Sequence, residues 1–369
     1  MQYVPFGKLG FDVSRLGFGM MRLPTTTNEE GKVCINRPEA TRMLRHAIDR
    51  GVNYVDTAYG YHFQESEILT GLALKDGYRE KVKLATKLPQ WLVKEHADMD
   101  RLLDEQLRKL DVPYVDFYLV HSLSGDAFHR IQALDYRGFL KRALKDGRIR
   151  HAGFSFHDEK DVFIEIVDDF DWELAQIQFN YLDDENQATL EGMRYAAKRG
   201  IPVVCMEPLR GGAIANPPQQ IRDMMPVEWA FRYVGDFPEV VTILSGMNTF
   251  QQVEDNLDIF SRVQHGTLTP QDHAFIRQVK EAYLARIAVG CTQCNYCQPC
   301  PQGVMIPRIF SAWNDAYMFE NPKAFENAYR QILKEEGDAA RCVACGQCEA
   351  ACPQQLPIIE LLQKAQEMA

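Results

Sequence analysis

The chain has 369 residues, 46% of them hydrophobic and 25% charged, with a formal net charge of −10. An acidic balance without clustered Lys and Arg excludes a nucleic-acid face built on phosphate neutralisation, and no apolar run reaches the length that crosses a bilayer. The length exceeds one ordinary core and cysteine density changes near Gly290, so two unequal domains are expected, residues 1–286 and 287–369.

Met1 to Gly10 carries no charged, apolar, small-residue export signal, so a soluble cytoplasmic protein is expected, with its thiols kept reduced. Tyr3 to Leu9 reads as a small hairpin. From Arg15 to about Phe260, short β-rich runs alternate with longer amphipathic ones. The strands are predicted at Arg15–Gly19, Tyr54–Asp56, Lys83–Lys87, Phe117–Val120, His151–Ser155, Ala175–Gln178, Ile201–Met206 and Val241–Ser245. Eight strands separated by helices predict an α/β fold, a closed (β/α)8 barrel of the TIM type. Helices are predicted over Pro38–Arg50, Glu65–Leu74, Asp98–Leu110, Asn186–Arg199 and Thr249–Phe260. In the third of these, Leu103, Leu107 and Leu110 make an apolar stripe and Asp98 is the expected cap. Beyond the barrel, Gln271–Arg286 leads into a small helical domain in which Ile306–Phe319 and Pro322–Glu335 separate two cysteine runs.

Those runs are Cys291, Cys294, Cys297 and Cys300 before Pro301, and Cys342, Cys345, Cys348 and Cys352 before Pro353. Three cysteines two residues apart let one loop wrap an iron-sulfur cube from three corners, and the fourth ligand normally crosses from the other run. Two [4Fe-4S] clusters are expected, one on Cys291, Cys294, Cys297 and Cys352, the other on Cys342, Cys345, Cys348 and Cys300. Zinc sites use paired cysteines rather than triplets with a trailing Cys-Pro, and disulfides belong to oxidising compartments. The first run spaces its last cysteine by two residues instead of three, which leaves the crossed assignment open.

In a barrel of this type reactive groups sit where strands end. Asp56 ends the second predicted strand, Tyr61 follows in the next loop, Lys87 ends the third and His121 ends the fourth. Reduction of a carbonyl needs a proton for the developing alkoxide. A phenol supplies it readily if a neighbouring ammonium brings its pKa down toward neutrality. Lys87 would do this for Tyr61, Asp56 would hold Lys87 charged, and His121 would orient the carbonyl. Singly, each has a plainer reading: helix cap, rim aromatic, solvated lysine, hydrogen-bonded core histidine. Tyr59 is the rival for the acid. Trp91 and Phe128 could border a pocket or pack in the core. Cys34 and Cys205 read as packing residues, and Gly17-Phe18-Gly19 as close packing at the rim.

Asp56-Thr57-Ala58-Tyr59-Gly60-Tyr61, then Lys87, then Leu119-Val120-His121-Ser122 resemble the aldo-keto reductases, whose Asp, Tyr, Lys and His tetrad matches these positions. With the cysteine runs, the chain resembles the branch in which such a barrel is fused to a ferredoxin-like domain. The resemblance implies NADPH or NADH on the rim and a small carbonyl or alcohol substrate. It also implies cofactor contacts from Gly19, Met20 and Asp56, carboxamide contacts from Ser155 and Gln176, and further contacts from Met206, Pro208, Leu209, Gly211, Gln252, Asp255 and Asn256. The asparagine usual after the carboxamide serine is Phe156 here, and the stacking aromatic is Met206. The cations that relatives use for a 2'-phosphate align with Gly246 and Gln252. A hydride carries two electrons while each cluster takes one. The clusters are therefore structural, or relay electrons to a redox partner protein, or belong to a redox sensor with a vestigial barrel.

Overall fold

Runs rich in β-branched residues and too short for a stable helix form strands wherever the alternation expects them. The computed structural model describes residues 1–369. In chain order the strands are β1 (Tyr3–Pro5), β2 (Asp12–Ser14), β3 (Leu16–Gly19), β4 (Thr25–Thr27), β5 (Val33–Ile35), β6 (Tyr54–Asp56), β7 (Lys83–Leu88), β8 (Val115–Leu123), β9 (Ile149–Phe156), β10 (Leu174–Gln178), β11 (Val203–Met206) and β12 (Val240–Gly246). β3 and β6 to β12 run parallel and close a barrel in chain order, with β12 returning to β3. All eight barrel strands coincide with a predicted run to within a few residues. The antiparallel pair of β4 and β5 was not expected, because Thr25–Thr27 and Val33–Ile35 lack the length and alternation that mark a strand.

β1 and β2 make a hairpin that extends to Ser14, past the expected Tyr3–Leu9, and its loop residue Phe6 is fully buried beside Tyr54 and Phe117, the last at 4.7 Å between ring centroids. Hydrocarbon thus seals the end of the barrel where strands begin. Chemistry is left to the opposite rim.

The helix His96–Leu110 buries Leu102, Leu103, Leu107 and Leu110. Asp98 is not its N-cap but its third residue, and the carboxylate accepts from the backbone N–H groups of Lys94 and Glu95 at 2.9 and 3.2 Å. An acid in the first turn can satisfy free N–H groups from either position, which is why the pattern misplaces it.

The chain divides into two compact units, Met1–Gly212 with Glu228–His273, and Ala213–Val227 with Ala274–Ala369. The helix Pro270–Leu284 straddles this division, upstream of the expected boundary at residue 286. In the second unit, Ile309, Phe310 and Trp313 of the helix Ile306–Met318, Phe325 and Tyr329 of the helix Pro322–Lys334, and Leu362 of the helix Ile358–Glu367 form one core. No helix of the protein is long and apolar enough to cross a membrane.

Candidate active site and cysteine loops

β6 and β7 are hydrogen-bonded neighbours in which Asp56, the last residue of β6, pairs with Ala85, and Lys87 lies two residues further along β7 at the rim. The Lys87 ammonium donates to both carboxylate oxygens of Asp56, at 2.7 and 2.8 Å, and to the Thr57 carbonyl at 2.9 Å. Tyr61 Oη lies 3.4 Å from the same nitrogen. Lys87 is fully buried. Burial by itself would push the ammonium pKa down, but the charges and hydrogen bonds of Asp56 and Tyr61 together outweigh it and the net shift is upward, so Lys87 stays charged. The Asp56 carboxyl is pushed up by burial and pulled back by Lys87.

The phenol does not behave as the sequence suggested. Burial drives the Tyr61 pKa up, and Lys87, already shared with a carboxylate, cannot reverse it; the net shift is above the ordinary tyrosine value. Tyr61 is therefore a firmly protonated acid. His121 stands edge-on to Tyr61 with ring centroids 6.1 Å apart, and the Trp91 ring lies 5.2 Å from His121. Burial and then the Lys87 charge depress the imidazole pKa well below its usual value, so the ring is neutral, and its buried Nδ1 has no partner. Phe128, by contrast, is fully buried against Tyr136 in the core. The Tyr59 hydroxyl donates to Glu105 at 3.1 Å, away from Lys87. Cys205 is buried, its thiol pKa pushed up by burial, and Cys34 is half-buried.

Behind the tetrad lies a buried polar network that pattern reading missed. Glu67 Oε1 accepts from Thr86 Oγ1 and from Gln106 Nε2, both at 2.6 Å, and the same Gln106 amide donates to the Lys87 carbonyl at 2.9 Å. Tyr118 donates to Gln106 Oε1 at 2.7 Å. The signal was there: Gln106 lies among Leu103, Leu107 and Leu110 on an apolar stripe, where an amide needs buried partners. Gln106→Leu should leave Glu67 and Tyr118 short of partners and free the Lys87 carbonyl, costing about 1–3 kcal/mol per unsatisfied group. Denaturant unfolding checks this; a midpoint equal to wild type would contradict it.

The residues expected at a nicotinamide divide into two groups. Ser155 on β9 and Gln176 on β10 are register partners, both buried. Ser155 Oγ accepts from the Ser122 N–H at 2.7 Å, which leaves its proton to donate, while Gln176 Oε1 is buried without a partner. A hydroxyl donor beside an orphaned amide oxygen complements a carboxamide, which carries one acceptor and two donors. Gln176 Nε2 reaches the Met206 sulfur at 3.6 Å, so Met206 stands beside this pair at the end of β11. Gly19 pairs with Asp56 and Gly246 at the strand ends, and Met20 is buried in the turn that follows. Pro208, Leu209 and Gly211 lie in the loop after β11. The helix Phe250–Ile259 is less open. Asn256 donates to Ser245 Oγ at 2.9 Å, Asp255 accepts from Gln251, and Gln252 accepts from the Asn248 N–H. Phe156 is turned away from the rim and packs edge-on to Phe163 at 5.1 Å.

In the second unit, Asn314 exchanges hydrogen bonds with both backbone groups of Val289, at 2.7 and 2.8 Å, which sets the start of the first cysteine loop. Tyr329 Oη accepts from the Ala339 N–H at 3.0 Å and sets the start of the second. One hollow is bordered by Cys291, Cys294, Cys297 and Cys352. Another is bordered by Cys297, Cys300, Cys342, Cys345 and Cys348. No three His, Cys, Asp or Glu side chains close on a point, as a lone ion would require, and none of the cysteines is in a disulfide. Four or more thiols around each hollow suit a larger inorganic group. The first hollow takes Cys352 from the second run, and the other takes Cys300, together with Cys297, from the first.

Residues 15–227 match the model of the aldo/keto reductase family, and residues 290–356 that of a 4Fe-4S dicluster domain. A probable aldo-keto reductase of Glycine max is 30% identical over 42% of this chain and 45% of its own length. The aldo-keto reductase YhdN of Bacillus subtilis is 32% identical over 33% of this chain and 38% of its own, so the match spans less than half of either relative. The NADH-specific methylglyoxal reductase of Escherichia coli is 25% identical, covering 76% of this chain and 99% of that protein. The holo structure of aldo-keto reductase AKR11C1 from Bacillus halodurans shares the fold, with a TM-score of 0.63 and 23% identity over 76% of this chain and 96% of the other. A family match that runs from β3 past β11, on a closed parallel barrel, and a second match over both cysteine runs place the chain in the aldo/keto reductase family of oxidoreductases, with a 4Fe-4S dicluster domain after the barrel.

Proposed function

We propose that the protein interconverts a small carbonyl compound and its alcohol with NADH or NADPH, Tyr61 serving as general acid, and that two [4Fe-4S] clusters are held by the cysteine loops. The observation that carries the reading is the single ammonium, Lys87, shared by Asp56 and Tyr61 at the open end of the barrel. Ser155 and Gln176 would hold the carboxamide, and the nicotinamide supplies or accepts a hydride. Tyr61 gives its proton to the carbonyl oxygen as the carbon is reduced, so one hydride and one proton convert the carbonyl to an alcohol. Lys87 then stabilises the phenolate left behind, and Asp56 keeps Lys87 charged. The neutral His121 can donate a hydrogen bond to the same oxygen and fix the carbonyl's direction. The methylglyoxal-reducing relative makes small aldehydes and NADH the first pair to try.

One cluster falls to Cys291, Cys294, Cys297 and Cys352, the other to Cys342, Cys345, Cys348 and Cys300. Crossed ligation ties the two loops together, so the clusters would hold the second unit in shape. Cys294 and Cys345 are exposed, which favours a second reading in which the clusters also pass electrons to a partner protein.

The test is anaerobically purified protein given each nicotinamide and a panel of small aldehydes and ketones, followed at both nicotinamide and cluster absorbance. Cofactor oxidation matched to alcohol formation supports the reading. No oxidation with either cofactor across the panel overturns it. Cluster bleaching during turnover would favour electron relay.

The pH dependence follows from the direction of the Tyr61 shift. A phenol pKa raised above 10 keeps the acid form present throughout the neutral range, so carbonyl reduction should hold nearly level from about pH 6 to about pH 9. Alcohol oxidation needs the phenolate and should rise with pH over that interval. A reduction rate that fell about tenfold between pH 7 and pH 9 would mean a much more acidic phenol.

A further inference from the structure

The rim also holds a cation that the proton transfer does not use. Arg22 closes the turn Met20–Arg22 after β3; it is exposed and enters no ion pair. Its side chain runs past two glycines. A Cβ at Gly246, the end of β12, would stand 2.7 Å from Arg22 Cγ and 2.9 Å from its Cβ, and one at Gly211 would stand 3.8 Å from Nη2. The stem therefore lies against the end of β12, in space that only glycine leaves open, while the guanidinium reaches the glycine loop after β11.

The turn is pinned from the catalytic side. The Leu23 N–H donates to His62 Nε2 at 3.1 Å. His62 and Phe63 hold left-handed backbone, φ 49 and 54, immediately after Tyr61. Burial, and then the nearby Arg22 charge, lower the His62 pKa and keep the ring a neutral acceptor. An unpaired guanidinium on an anchored turn, facing a loop with φ +65 at Gly211 and no side chain there to obstruct approach, is arranged to receive an anion between its fork and that loop.

We propose that Arg22 binds the pyrophosphate of the nicotinamide dinucleotide. It supplies from β3 a charge that the β12 side lacks, because Gly246 has no side chain and Gln252 is uncharged. The pyrophosphate fits better than a 2'-phosphate because Nη2 points to the Gly211 loop, whereas Gln252 is occupied with the Asn248 N–H. This inference rests on the nicotinamide reading above.

The test is calorimetric titration of the full chain with NADH and with NADPH, for wild type, Arg22→Ala, Arg22→Lys and Gly246→Val. Loss of a charge-assisted fork to phosphate should weaken both dinucleotides about tenfold in Arg22→Ala. Arg22→Lys should recover part of the loss, and Gly246→Val, which displaces the stem, should reproduce it. Wild type that binds both cofactors, with Arg22→Ala within about twofold for each, overturns this inference alone. Weakening of NADPH only also overturns it, in favour of the 2'-phosphate. Equal losses in Arg22→Ala and Arg22→Lys, with a lower melting temperature of the cofactor-free protein, would overturn it in favour of a structural role. Wild type that binds neither dinucleotide overturns this and the nicotinamide reading together.

Discussion

Tyr61→Phe should lower the rate of carbonyl reduction by about 10²- to 10⁴-fold, the usual contribution of a positioned general acid. The variant should fold as the wild type does, for a reason visible in the distances. Lys87 keeps its three shorter contacts, two to Asp56 at 2.7 and 2.8 Å and one to the Thr57 carbonyl at 2.9 Å, and loses only the 3.4 Å one. No buried charge is stranded. Dinucleotide affinity should hold as well, because Ser155 and Gln176 lie on other strands. The rate is read in single turnovers at saturating cofactor, with melting temperature alongside. Tyr59→Phe is the control. Its hydroxyl serves Glu105, so its rate should match wild type, and a larger loss in Tyr59→Phe than in Tyr61→Phe would reassign the acid.

Pairs of cysteine substitutions should report which thiols share a cluster. Cys300 borders the hollow of Cys342, Cys345 and Cys348, and Cys352 that of Cys291, Cys294 and Cys297, so with crossed ligation Cys300→Ala with Cys342→Ala strikes one cluster twice and should leave half the iron and acid-labile sulfide. Cys300→Ala with Cys291→Ala strikes both and should leave almost none. Uncrossed ligation inverts these two results. The effect reaches the fold as well, because Cys297, Cys348 and Cys352 pack against the core built on Phe310 and Leu362. Where ligands converge only on folding, the free energy of binding the group is also free energy of folding, so the double variant that loses both clusters should melt its second unit first. Iron and sulfide determination with circular dichroism separates the outcomes.

The two results bear on different units and can fail independently. A barrel that reduces carbonyls with both clusters stripped would make the cysteine loops a scaffold. Activity that tracked iron content would tie the chemistry to them.

Much of this was legible in the sequence, and for a common reason. Strand alternation, the 3.6-residue stripe of Leu103, Leu107 and Leu110, and the two-residue spacing of the cysteines are all local regularities, each written within a dozen or so residues. They located the eight barrel strands, Tyr54–Asp56 to the residue, and the rim positions of Asp56, Lys87 and His121. Where two devices satisfy the same backbone groups, the pattern was ambiguous, as at Asp98 in the first turn of its helix. What it could not contain is any quantity set by distance between segments remote along the chain. The acidity of Tyr61 depends on how much low-dielectric protein surrounds it and on how far Asp56 has already neutralised Lys87; charge pairing suggested a lowered pKa, while burial raises it. The support of the Lys87 carbonyl by Gln106 exists only because the helix His96–Leu110 packs back behind β7, and the passage of Arg22 across Gly246 only because the barrel closes and brings its first strand against its last. These are contacts that periodicity does not encode and that only tertiary structure decides.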